Sequence, residues 1–158
     1  MSIKTNAIRI LDKNKIKYEL FEYESTGNFI NGLKTAEQIG QDVKYIFKTI
    51  VTISKSNHIY VFVVPVDKEI DFKKAQQITC EKSLDVLPLE KLTSVTGYIR
   101  GGTSPIGMKK LYPTYIESSL LLTDDIIVSG GKIGLQVKLN LNDLVKITNA
   151  KIVDIIKY

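Results

Sequence analysis

Two apolar runs rich in β-branched residues, Ile46 to Ile53 and Ile59 to Val66, are separated only by the five polar residues Ser54-Lys55-Ser56-Asn57-His58. Branched side chains lose little freedom in an extended backbone and pack well on a pleated surface. The pair therefore predicts a hairpin of two long strands at the centre of a sheet. Around it, helical and extended patterns alternate irregularly. Ile3, Ala7, Ile10 and Leu11 recur at helical spacing over residues 3–14, with Ser2 or Thr5 as cap. Residues 18–23 alternate as a short strand. The stretch 24–34, with Gly27, Asn28, Asn31 and Gly32, reads as a loop. Thr35-Ala36-Glu37-Gln38 has a capping-box pattern, and Gly40 stops the helix it would open.

Further on, residues 71–79 and 88–95 are predicted helices entered by Asp71 and Pro88. Strands are expected at 112–117, 125–129 and 135–139, a helix from Leu141 to Ile147 capped by Asn140 or Asn142, and a closing segment from Lys151 to Ile156. These elements predict an α+β (mixed α/β) fold: one compact domain over residues 1–158, with a central mixed, partly antiparallel sheet flanked by helices.

Composition narrows the class. The 158 residues are 44% hydrophobic and 25% charged, with ten glycines and four prolines, which excludes disordered and collagen-like chains. No stretch approaches the roughly 18 uncharged apolar residues of a membrane span, and the N-terminal residues are too polar for a signal peptide. A soluble, cytoplasmic protein is expected. One cysteine, Cys80, and one histidine, His58, fit a reducing compartment. They argue against structural zinc, a two-histidine metal site and a serine-histidine-aspartate triad, so no metal and no cofactor are expected. The net charge is +5, and apart from Arg9 and Arg100 the 22 basic residues are lysines, spread along the chain without a block. Such a balance suits a polyanionic partner without requiring one.

Three features stand out as possible chemistry. Seven of the ten glycines fall in two windows, Gly97, Gly101, Gly102 and Gly107, then Gly130, Gly131 and Gly134. Glycine lets a ligand approach the main chain, so two such turns either form a pocket wall lined with N–H groups or simply connect strands. Neither window has the spacing of a Walker loop or a dinucleotide fingerprint. Lys48 interrupts the apolar stretch Tyr45 to Val51, on the face shared by Ile46 and Ile50. Its ammonium must line a cavity or find partners, or else reach water from an edge strand. His58 reads as a surface residue of the hairpin turn, Cys80 as an inert thiol at a helix end, and Asp124-Asp125 as turn chemistry rather than a carboxylate dyad.

Taken in order, F-K-T-I-V at 47–51, T-G-Y-I-R-G-G-T-S-P-I-G at 96–107 and V-S-G-G-K-I-G-L at 128–135 resemble the YbaK/EbsC family of aminoacyl-tRNA deacylases, its Cys-tRNA(Pro) deacylase branch most of all. The resemblance spans nearly the whole chain, from the opening helix and Glu22-Tyr23 through A-E-Q-I-G at 36–40 to D-L-V-K-I at 143–147. It implies trans-editing, the hydrolysis of the ester joining a wrong amino acid to tRNA(Pro), with mischarged tRNA(Pro) as substrate and prolyl-tRNA synthetase as a partner. It places Lys48 and Gly101 in the catalytic role, and Tyr23, Thr49, Gly102, Ser104, Ser129, Gly130 and Gly131 in the substrate pocket. An aminoacyl ester is already activated, so donors that stabilise the oxyanion could suffice, each worth about 10²- to 10³-fold. The attacking group is water or the substrate's own thiol, and the resemblance implies the thiol, which releases a thiolactone. Two other readings stay open: removal of another small amino acid such as alanine, and a non-catalytic module that binds tRNA or synthetase.

Overall fold

The computed structural model describes residues 4–23 and 32–158. Helix α1 (Asn6–Lys13) is capped by Thr5, whose hydroxyl accepts the Ile8 N–H at 3.2 Å, and buries Ala7, Ile8 and Leu11. Strand β1 (Tyr18–Glu22) follows, then α2 (Gly32–Ile39), a 3-10 turn at Val43–Tyr45, and the predicted hairpin, β2 (Phe47–Ser54) with β3 (Ile59–Pro65). Helix α3 (Phe72–Thr79) starts at Asp71, whose carboxylate accepts the N–H groups of Lys73 and Lys74. Strand β4 (Leu84–Val86), helix α4 (Leu89–Thr96), strands β5 (Thr114–Glu117), β6 (Asp125–Ser129) and β7 (Leu135–Asn140), helix α5 (Leu141–Thr148) and strand β8 (Lys151–Val153) complete the order. Of the two candidate caps for α5, Asn140 is the one used; its side chain accepts the Asn142 N–H at 3.0 Å.

The strands form two sheets. The larger is mixed, in the order β4-β2-β3-β5-β8, with β2 antiparallel to both neighbours and β5 parallel to β3 and β8. The hairpin is central to it, as its apolar content predicts. The smaller sheet is antiparallel, β1-β7-β6, and a parallel bridge from Ile46 to Ile127 joins the two. Between them lies the main core, where Phe47, Val63 and Ile116 of the large sheet meet Ile126, Val128, Val137 and Leu139 of the small one, closed by Leu11 and Leu144. A second core on the other face of the large sheet gathers Phe62, Val64, Ala75, Tyr115 and Ile155, with Phe62 stacked on Tyr115 at 5.5 Å. Each such fully buried side chain stabilises the fold by about 1.5–3 kcal/mol.

The fold departs from the sequence reading in several places. The division into two sheets replaces one central sheet. Helix α1 begins at Asn6, and residues 1–3 lie outside the described residues. The loop expected over 24–34 falls mostly outside them as well, and where description resumes α2 is already helical at Gly32. Thr35 is thus a buried residue inside α2, not its cap. Strand β4 was not anticipated, because Leu-Asp-Val has no periodic signal and is extended only by pairing with Thr52–Ser54. Among the described residues no helix is long and apolar enough to cross a membrane.

Candidate active site

Strand β2 has two different edges along its length. Beyond Thr52 it is covered on both sides, by β3 and by β4, and the last bond on the β4 side runs from the Leu87 N–H to the Val51 carbonyl at 2.9 Å. Pro88 then turns the chain away into α4. Residues 48–50 are left with an open edge, and a cavity of about 550 Å³ occupies the space. Main-chain groups of an antiparallel strand point to alternate sides. Because Val51 points away from β3, so does Thr49, and its peptide faces the cavity.

Side chains from five directions close the cavity. Lys48 and Ile50 project from one face of β2, beside Ile70 and Phe72. Thr49 leaves on the other face, opposite Val63 in the β3 register. Tyr23 comes from the end of β1, and Ser129 and Gln136 from a directly paired position of β6 and β7. Arg100, Gly101 and Thr103 come from the loop after α4, and Val86, Leu87, Leu89 and Leu92 form the outer apolar wall. Lys48 is half-buried and has no hydrogen bond or ion pair with any described residue. Of the two possibilities left open by the sequence, a cavity-lining ammonium is the one this placement fits. The Thr49 hydroxyl is buried and has no partner among the described residues.

Of the nine residues picked out by sequence, Tyr23, Lys48, Thr49, Gly101 and Ser129 line the cavity. Gly102, Ser104, Gly130 and Gly131 stand behind it and shape it. A Cβ on Gly102 would lie 2.8 Å from the main chain of Lys132, so the two glycine windows touch backbone to backbone. Gly131 has φ +105°, and a Cβ there would meet the Thr5 side chain at 2.9 Å. Ser104 is fully buried and accepts the Ile106 N–H at 3.2 Å.

The expectation of two glycine turns presenting a row of free N–H groups is narrowed by these bonds. The Gly102 N–H donates to the Ile99 carbonyl at 3.0 Å, the Gly130 N–H to the Leu135 carbonyl at 2.9 Å and the Gly131 N–H to Ser129 Oγ at 3.2 Å. Gly101 differs from all three: it lines the cavity, and its amide has no partner among the described residues.

Two residues that tie the windows together carry no sequence signal. The Tyr98 hydroxyl donates to the Ile106 carbonyl at 2.6 Å, and its ring lies against both Gly107 and Gly131; burial pushes its hydroxyl pKa up to about 12. From α1, Thr5 donates to the Gly130 carbonyl and Asn6 to the Gly107 carbonyl, so one helix end braces both turns. Gln136 was also missed. Alternation in Leu135-Gln136-Val137-Lys138-Leu139 shows that it faces away from the core but cannot show that a cavity covers that face. The readings of Cys80 and Asp124 fit their surroundings, an exposed thiol at a helix end and a carboxylate accepting the Leu121 N–H at 2.8 Å.

A cavity that offers an ammonium and a backbone donor, on two braced glycine turns, is built to bind a polarised carbonyl. Comparison with known proteins identifies the class: the family model of the aminoacyl-tRNA editing domain matches residues 33–147, and the chain belongs to that family. The reaction class that goes with membership is hydrolysis of the ester of an aminoacyl-tRNA, which makes the chain an aminoacyl-tRNA deacylase. More particularly, it is 38% identical over 152 residues, 96% of this chain and 93% of the relative, to EbsC of Enterococcus faecalis, whose name proposes a Cys-tRNA(Pro)/Cys-tRNA(Cys) deacylase. Among solved structures, one described as a proposed trans-editing enzyme for prolyl-tRNA synthetase superposes with a TM-score of 0.84 at 22% identity, covering 99% of this chain and 100% of the other. A scaffold protein used for epitope grafting has a TM-score of 0.85 at 21% identity over 99% of each chain. At these identities the two structures speak for the fold.

Proposed function

We propose that the chain edits Cys-tRNA(Pro), with Lys48 and the Gly101 amide stabilising the oxyanion formed at the ester carbonyl. One observation carries the reading: both groups line one cavity, both lack partners there, and no Cys, His, Asp or Glu stands among the described lining residues. A site so furnished needs a substrate that brings its own activated bond and its own nucleophile. The cysteinyl ester brings both. Its thiol attacks the carbonyl carbon, a C–S bond forms as the C–O bond to the terminal ribose breaks, and the thiol proton ends on the released ribose hydroxyl. The product is a thiolactone and free tRNA. Holding thiol and carbonyl together replaces a bimolecular encounter with an intramolecular one. Ser104, Gly102, Gly130 and Gly131 act in this scheme by fixing the loop that carries Gly101, while Tyr23, Thr49 and Ser129 contact the aminoacyl group.

The tRNA body has no matching groove of concentrated charge, since the lysines are dispersed. Identity of the tRNA is therefore assigned to a complex with prolyl-tRNA synthetase. Deacylation of Cys-tRNA(Pro) and Ala-tRNA(Pro), each with and without the synthetase, tests the reading. Loss of cysteine alone, faster with synthetase present, is expected. Equal loss of alanine, or loss of alanine only, would eliminate the thiol route, because alanine has no nucleophile to offer.

A further inference from the structure

Gln136 is a buried amide, 7% exposed, that lines the cavity, and its carboxamide has no hydrogen-bond partner among the described residues. Leaving such a group unpaired costs stability unless something arrives to satisfy it. Leu135 and Val137 on either side are packed into the main core, so β7 holds the amide where it is. Across the β6–β7 pair stands Ser129, whose oxygen already accepts the Gly131 N–H.

The charges around it are of one sign. The charged side chains among the described lining residues are Lys48 from β2 and Arg100 from the loop after α4; the other titratable lining group is the Tyr23 phenol at the end of β1. No carboxylate stands among them. An aminoacyl ester entering this cavity carries an α-amino group, whose proton would place a third positive charge beside the other two. Such an amine has a pKa of about 8 or below, so its neutral form is within easy reach. A carboxamide oxygen is an uncharged acceptor suited to a neutral amine, and its NH₂ can donate to the amine lone pair.

Resting on the deacylase reading above, we infer that Gln136 is a specificity-determining residue that binds the α-amino group of the aminoacyl ester in its neutral form. The cavity takes the ester as a free amine, and the oxyanion donors keep their charge undiluted by a neighbouring ammonium and its counter-ion.

The test is KM for aminoacyl-tRNA between pH 6 and 8, with a tRNA carrying the corresponding α-hydroxy acid as control. KM is the readout because a substrate thiol titrates near pH 8.5 and would enter kcat. For the wild-type protein, KM should fall as pH rises, by up to about tenfold per unit below the amine pKa, whereas the hydroxyacyl control stays flat. Gln136→Leu should raise KM at pH 8 about tenfold with kcat little changed, and should melt no lower than the wild type, since it loses no partner. Gln136→Glu should reverse the slope, binding the ammonium best at pH 6. A flat or opposite wild-type slope, or a Gln136→Glu variant that keeps the wild-type slope, overturns the inference. Deacylation that proceeds with a flat KM removes only the amine assignment; failure to deacylate any tRNA at any pH removes the parent reading as well.

Discussion

The two ends of β2 carry polar side chains of opposite condition. At the turn end, Ser54, Ser56, His58, Tyr60 and Glu81 satisfy one another: Tyr60 donates to Glu81 at 2.5 Å, Ser56 donates to the same carboxylate at 3.2 Å, and the His58 ring nitrogen lies 3.2 Å from it. The Ser54 and Ser56 hydroxyls are 2.7 Å apart, and Ser54 accepts the His58 N–H. At the open-edge end, Lys48, Thr49 and Gln136 have no partners among the described residues. By residue type the turn end looks more catalytic, with serine, histidine and glutamate together. Its geometry says otherwise, because Ser56 and Glu81 both approach Nδ1 of the histidine. A relay needs the hydroxyl and the carboxylate on opposite ring nitrogens. Unfilled bonding capacity, more than chemical type, marks the site.

The contrast is broken most directly at Lys48. Lys48→Ala removes a charge that nothing in the fold depends on, so the melting temperature should hold while deacylation falls about 10²- to 10³-fold. Near-normal turnover by the folded variant would take the ammonium out of the mechanism. The next effect falls on the brace behind the site. Gly131→Ala forces a side chain into a left-handed conformation and against Thr5, so a loss of about 1–3 kcal/mol in stability is expected, measurable by denaturant unfolding.

The turn end should respond to pH and not to substrate. Hydrogen bonds from Tyr60 and then from His58 and Ser56 hold the Glu81 carboxyl below its ordinary range. A lowered folded pKa favours the charged form, so this stabilisation is present above pH 4.5 and lost as pH falls below it. Burial, with the Glu81 bond second, pushes the Tyr60 hydroxyl up to about 12 from 10. That raised value favours the neutral phenol, so its contribution is complete below pH 10 and disappears as pH rises toward 12. Tyr60→Phe should flatten the alkaline limb of the stability profile and shrink the acid limb, leaving deacylation unchanged. A loss of deacylation would mean the two ends are coupled.

What could be read from the sequence was local. The hairpin, α3 and α5 announce themselves through β-branched runs, Asp71 and Asn140. The second sheet does not, because it depends on Tyr18 meeting Leu139, a pairing between distant segments that no short pattern encodes. The same division holds at the site. The glycine windows and Lys48 were visible as irregularities of spacing and polarity. That Gly101 alone keeps a free amide, that Tyr98 and Thr5 join the windows, and that Gln136 faces a cavity rather than water all depend on which distant segment covers which.

The smallest effect tests the principle most finely. Thr49→Val exchanges the unpartnered hydroxyl for a methyl of nearly the same shape. A buried hydroxyl without a partner costs stability, so the exchange should leave the protein equally stable or more stable, by about 1 kcal/mol at most. The same change at Ser54, whose hydroxyl is bonded twice, should destabilise. If the Thr49 oxygen is reserved for the aminoacyl group, the valine variant gains stability while KM rises about fivefold, one neutral hydrogen bond's worth. A variant that is less stable with unaltered KM would show that Thr49 belongs to the saturated class after all, and that the open edge of β2 begins one residue nearer to Lys48.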